Sequence, residues 1–210
     1  RSSIATLVTF AKDTQNALTL RDNSGDLNTG IALSVSGGSG SGAISYSVTS
    51  GSASCSITSG VVNARFVGSC TLTSTKASDV NYLQKQITNT LTFIKATQSS
   101  IQVTSTSGSY GTPVALATSG GSGSGILSFA VSDTGSASCV VSGTQLTFTS
   151  AGTCKVIATR DADNIFDARS SASTTITIDR ANQTPLSVAT STGDLLTGII
   201  LAVTGGGGTG

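Results

Sequence analysis

A net charge of +1 over 210 residues, without one His, excludes two broad classes of function. Nucleic acid and anionic membranes call for clustered Lys and Arg, whereas here 11 cations and 10 acids are scattered along the chain. Ser-His-Asp and Cys-His catalysis is excluded outright, and no stretch approaches the roughly 18–20 apolar residues of a membrane span.

The chain is nonetheless foldable. Ser and Thr make up about a third of it, yet 37% is hydrophobic and the apolar residues alternate in short runs, which disordered chains lack. There is no Met, Trp or Glu, and all ten acids are Asp, so strong helix formers are scarce beside Thr, Val and Ile. An all-β fold follows. No charged-then-apolar leader opens the sequence.

Read in chain order, residues 1–10 resemble the last strand of a repeat, because Arg1-Ser2-Ser3 recurs as Arg169-Ser170-Ser171. A gapless 24-residue pattern then appears three times, as Gln15 to Gly38, Gln98 to Gly121 and Gln183 to Gly206, at offsets of 83 and 85. Each copy opens on Gln and passes a Gly (Gly25, Gly108, Gly193) and a Thr (Thr29, Thr112, Thr197). An apolar pair follows: Ile31 and Leu33, Val114 and Leu116, Ile199 and Leu201. Between the copies, Ser52-Ala53-Ser54-Cys55 recurs as Ser136-Ala137-Ser138-Cys139, Gly68-Ser69-Cys70 as Gly152-Thr153-Cys154, and Tyr82 as Phe166. The predicted organisation is a final strand at 1–10, whole repeats at 11–94 and 95–179, and the first strands of a further repeat at 180–210. Ile199, Ile200, Leu201 and Val203 would then need partners in a continuing chain or a neighbour.

Within the second repeat the alternation predicts seven strands, at 99–106, 113–119, 126–132, 137–142, 144–150, 153–160 and 172–179. Ser142-Gly143 supplies a hairpin turn and Gly120 to Gly125 a longer loop. Seven short strands in about 84 residues fit a tandem immunoglobulin-like β-sandwich arranged end to end, not a solenoid or a propeller blade. Junctions such as Lys95-Ala96-Thr97-Gln98 and Arg180-Ala181-Asn182-Gln183 hold no Pro-rich or Gly-Ser linker, which predicts a semi-rigid rod.

Four cysteines allow three pairings. Both copies space them by 15, and only pairing within each repeat treats the copies alike: Cys55–Cys70 and Cys139–Cys154. Such bridges imply an oxidising compartment and differ from the antibody inter-sheet disulfide, which joins strands far apart in sequence. Free buried thiols are the alternative. Two Cys per repeat without His cannot complete a zinc site.

The loops Gly37 to Gly42 and Gly120 to Gly125, the step Ala151-Gly152-Thr153-Cys154 and the stretch Thr75 to Tyr82 together resemble bacterial Ig-like (Big-type) repeats. In the second copy Arg160 and Asp161 replace the Lys-Ala pair at Lys76-Ala77. The resemblance implies an extracellular or cell-surface location in a long secreted or surface-attached bacterial protein, with a stalk, adhesin or filament role.

Other chemistry finds little support. The Gly-rich loops lack the Gly-Lys-Ser/Thr ending of a phosphate loop. Asp161, Asp163 and Asp167 form an acidic cluster open to a calcium reading, but the first repeat offers only Asp79 there. Asp22, Asn23 and Asp26 fall short of an EF-hand loop. An intramolecular Lys–Asn isopeptide bond lacks a Glu partner, and Asn182-Gln183-Thr184 is a formal glycosylation sequon. Tyr46, Tyr82, Phe129, Phe148 and Phe166 invite a sugar-stacking reading, but their positions fit core packing better. The expectation is therefore a structural, non-enzymatic stalk without cofactor. Its partners are the neighbouring repeats of the same chain and, in a filament or sheath, lateral copies of itself. A carbohydrate- or protein-binding module is the third reading.

Overall fold

The computed structural model describes residues 7–49, 51–189, 192–193, 195–196, 198–199 and 201–207. Residues 1–6, which carry the Arg1-Ser2-Ser3 match, Thr197 of the third copy and Ile200 lie outside them. The chain divides into two compact units: Arg1–Ser99 with Gly121–Ile126 and Arg160–Arg169, and Ser100–Gly120 with Leu127–Thr159 and Ser170–Gly210.

Among the described residues, the first repeat contains nine strands: β1 (Leu18–Leu20), β2 (Ser24–Asp26), β3 (Ile31–Ala32), β4 (Val35–Gly37), β5 (Ile44–Thr49), β6 (Cys55–Thr58), β7 (Val61–Ala64), β8 (Gly68–Lys76) and β9 (Lys85–Ile94). One sheet runs β2-β9-β8-β5, with β2 parallel to β9 and the other pairs antiparallel. The other runs β3-β7-β6, while β4, continuing past β3, pairs with β1. An opening strand that divides between two sheets in this order is the layout of an immunoglobulin-like sandwich. Alternation places Ile31, Ala53, Val62, Cys70, Leu72, Leu91 and Phe93 in the core, each at most 2% exposed.

The second repeat follows the same plan with β10 (Ile101–Val103), β11 (Ser107–Ser109), β12 (Val114–Ala115), β13 (Thr118–Gly120), β14 (Leu127–Asp133), β15 (Val140–Ser142), β16 (Gln145–Thr147), β17 (Gly152–Arg160), β18 (Arg169–Ser170) and β19 (Thr174–Asp179). Its sheets are β11-β19-β17-β14 and β12-β16-β15, with β10 on β13 and β18 on β17. The core repeats position for position, with Ala137, Leu146, Cys154, Val156, Ile176 and Ile178. A third copy of the opening register appears where β20 (Ser187–Val188) pairs with β21 (Val203–Thr204). Ser187 faces Thr204 there, as Gln102 faces Ser119 and Thr19 faces Ser36.

Four expected strands differ clearly from those observed, the 144–150 strand already ending at Thr147 as β16. The 99–106 strand is observed only as β10, and β11 begins at Ser107, beyond its expected end, because the chain changes sheets between the two. At the crossing the Ser105 hydroxyl donates to the Ala115 carbonyl and accepts from the Ala117 amide, replacing ladder bonds. The 113–119 strand breaks opposite it into β12 and β13. Residues 137–139 are a turn with Ser138 at φ 49°, so β15 begins only at Val140. The repeated Gly has a packing cause: a Cβ at Gly25, Gly108 or Gly193 would strike Ile31, Val114 or Ile199.

Candidate functional site

Two constellations account for the repeated motifs. The first lies where each repeat begins. Gln15 and Gln98, only 3% and 1% exposed, are buried amides. Gln15 Nε2 donates to the Ala77 and Leu83 carbonyls at 3.1 and 2.9 Å. Gln98 Nε2 faces the carbonyls of Arg160, Asp161 and Asp167 at 3.5, 3.2 and 2.8 Å, and its Oε1 accepts from Gly123 N at 3.3 Å. Each amide thus ties the opening strand to carbonyls of a loop more than 60 residues away. Arg160 adds a bond to the Gly125 carbonyl at 3.1 Å, and Arg169 donates to the Gln98 carbonyl.

An Asp completes each arrangement. Asp79 Oδ1 accepts from Asn81 N and Tyr82 N at 2.9 and 2.8 Å, and its Oδ2 accepts from Ser41 N at 2.5 Å. Asp163 repeats this, with Oδ1 on Ile165 N and Phe166 N at 2.8 and 2.7 Å and Oδ2 on Ser124 N and Oγ at 2.6 and 3.0 Å. The Gly-rich loop is therefore clasped by a carboxylate. The Tyr82 and Ser41 amides hold Asp79 well below the usual carboxylate range, at about 2. The Phe166 and Ser124 amides lower Asp163 as well. Amide donors on both oxygens favour the charged form of each carboxylate.

The structure does not bring Asp161, Asp163 and Asp167 together as ligands: Asp161 and Asp167 give backbone carbonyls to Gln98, and no three His, Cys or acidic side chains converge among the described residues. Asp26 likewise caps its own turn through Asn28 N and Thr29 N, both at 2.8 Å, and the Thr29 amide is the main cause of its lowered pKa. The Arg21–Asp22 pair at 3.8 Å is solvent-exposed and contributes little.

The second constellation is the disulfide. Cys55 is joined to Cys70 and Cys139 to Cys154, with Cα–Cα distances of 6.3 and 6.1 Å. The sequence spacing suggests a contrast with an inter-sheet bridge. In fact each bridge crosses the sandwich, from β6 or the turn before β15 to β8 or β17 in the facing sheet. The surrounding motif follows from this crossing. Ser54 and Ser138 adopt φ 52° and 49° just ahead of the cysteine. Ala53 and Ala137 are fully buried, leaving no room for a larger side chain. Ser52 and Ser136 hydroxyls each accept an amide at 3.0 Å, from Ser69 and Thr153. Gly68 and Gly152 admit those hydroxyls where a Cβ would collide.

Tyr46, Tyr82, Phe129, Phe148 and Phe166 do not come together as one platform. Tyr46 packs against the first core, while Phe129 and Phe148 pack against the second. Tyr82 and Phe166 sit in matching bridges, to Asp13 and Ala96. What sequence reasoning missed was the task of Gln15 and Gln98. The available signal was a long polar residue opening every copy, a position that proves buried in the two whole repeats at Gln15 and Gln98.

No family model matches the chain, and no curated protein matches it. Solved structures with a similar fold include mouse cadherin-23 EC22–24, at 15% identity and a TM-score of 0.35, covering 80% of this chain and 65% of that one. Drosophila N-cadherin EC1–3 gives 11% and 0.31, covering 75% and 64%. Human protocadherin-24 EC1–2 gives 16% and 0.33, covering 79% and 98%. The chain thus spans just under two thirds of the first two structures. Matches this loose carry no argument about family or partner, and the sandwich assignment rests on strand order and register.

Proposed function

We propose that this chain is a non-enzymatic, extracellular repeat module whose tandem immunoglobulin-like sandwiches act as a spacer. It would belong to a long surface-attached or secreted protein of the bacterial adhesin kind. The repeated pole carries this reading: Gln15 with Asp79, and Gln98 with Asp163, use the same bonds at matching positions. The Gln amide hydrogens and the Asp carboxylates of that arrangement are spent on carbonyls and amides of the repeat's own loops, while Gln15 Oε1 is buried without a partner among the described residues. A device repeated in each unit and directed inward serves geometry, not a ligand. The disulfides favour an oxidising, extracellular setting.

A filament or sheath subunit is the second reading, favoured by one surface. On the outer face of β5, β8 and β9 the register aligns Ser47, Thr73 and Thr88, and beside them Thr49, Thr71 and Thr90, with no charge in the set. Lateral copies would meet there without charge repulsion. Electron microscopy of the purified chain separates the two readings. Isolated thin rods are expected for a spacer, whereas ordered lattices or helical bundles would reject it in favour of the filament.

A further inference from the structure

The second repeat carries a feature that its fold does not need. The turn Tyr110-Gly111-Thr112-Pro113 links β11 to β12 and is fixed by Tyr110 N donating to the Asp179 carbonyl at 2.8 Å and Thr112 N to the Ser109 carbonyl at 3.2 Å. With Thr147 and Phe148 it encloses a recess of about 210 Å³. The Tyr110 and Phe148 rings stand 6.5 Å apart at 44°. Phe148 is held by the core beneath, while Tyr110 remains 46% exposed. A second recess of about 350 Å³ lies beyond Tyr110, lined in part by Thr149, Ser150 and Arg180. Arg180 has no salt-bridge partner among the described residues.

The first repeat places Leu27, Gly30, Asn63 and Ala64 where Tyr110, Pro113, Thr147 and Phe148 stand. That sandwich closes without aromatic residues at these four positions, so the aromatic pair is an addition to the unit. Their chemistry is specific. A half-exposed Tyr beside a fixed Phe offers an apolar face, and Thr112 and Thr149 offer hydroxyls around it, while those of Thr147 and Ser150 already donate to the Val140 and Ser136 carbonyls. The unpaired guanidinium offers a planar, bidentate partner for a carboxylate. The recess of about 210 Å³ beside Phe148, below the ~300–1,000 Å³ of drug-sized ligand sites, suits a single ring, and the recess of about 350 Å³ next to it holds the guanidinium that would meet the carboxylate.

We infer that this two-part cleft binds one carboxylate-bearing sugar unit of the uronic-acid class, its ring against Tyr110 and its carboxylate toward Arg180. The inference is independent of the spacer reading, since a spacer repeat can carry a glycan contact. NMR titration of the full chain tests it, using a glucuronic acid oligosaccharide, its neutral glucose counterpart and an acidic peptide of similar charge. Saturable shifts at Tyr110 and Arg180 with glucuronate alone are expected. Arg180→Gln and Tyr110→Ala should each weaken binding by about tenfold while both variants melt like the parent. Both side chains are exposed, and should Tyr110→Ala fold poorly, Arg180→Gln alone is decisive. The inference is overturned if the neutral sugar or the acidic peptide binds as well as glucuronate, if no saturable shift appears, or if Arg180→Gln binds undiminished.

Discussion

Replacing Cys139 and Cys154 together by Ala removes the second bridge without leaving a buried unpaired thiol. The bridge closes a loop with a sequence separation of 15. In the chain-entropy treatment a loop of this size corresponds to about 3 kcal/mol, chiefly through the unfolded state. Cys139 and Cys154 are both 1% exposed within the core, so lost packing adds to that figure. For a domain of fewer than 100 residues, 1 kcal/mol moves Tm by about 4–8 °C, so the double variant should melt about 12–24 °C lower. Differential scanning calorimetry should show that loss in the transition of the second repeat, with the first repeat's transition in place. The same burial predicts that dithiothreitol reduces the native protein far more slowly than the denatured one. A loss below about 1 kcal/mol, or equal shifts in both transitions, would refute this account of the bridge.

Other consequences can be checked separately. Gln98→Met should destabilise by about 2–4 kcal/mol in urea titration, because it strands the carbonyls that Nε2 now serves. A loss under about 0.5 kcal/mol would remove the amide from its structural role. Asp79 and Asp163 have folded pKa values below their ordinary one, so the stability they contribute is present above pH ~4 and is lost as pH falls. For Asp79 the loss should run from about pH 4 to about pH 2, read by carboxyl NMR titration, and Asp79→Asn should flatten that part of the acid-unfolding curve. Gly120→Ala and Gly143→Ala both place a side chain at positive φ, 79° and 61°. Only Gly120 would drive its Cβ into the Ser100 carbonyl, so it should cost clearly more than the ~1–2 kcal/mol expected at Gly143. Equal costs would contradict the packing.

Much of this was legible because the sequence repeats. One copy of Thr174 to Ile178 suggests a strand, but three aligned copies of Gln, Gly and an apolar pair define a unit. The core was equally readable, since period-two alternation assigns Leu91 and Phe93 to the same face as Ile176 and Ile178. The failures arose where hydrogen bonds, not hydrophobic period, decide. Nothing in the alternation of 99–106 shows that Ser105 takes over backbone bonds and lets the strand change sheets. Asp163 looked like one of three possible cation ligands, because a composition of acids does not reveal that its oxygens face amides. The cysteine spacing disclosed the pairing but not that the link crosses between sheets, which depends on the turn at Ser138. Tyr110 and Arg180 lie 70 residues apart in sequence, and only the fold sets them around one cleft.

The spacer account is tested most directly by small-angle X-ray scattering on chains of increasing repeat number. Strands of about 7 residues at ~3.3 Å each, with end loops, predict a maximum dimension that grows by roughly 30–40 Å per repeat and does not change with protein concentration. Growth with the square root of repeat number, or dimensions that rise with concentration, would contradict it.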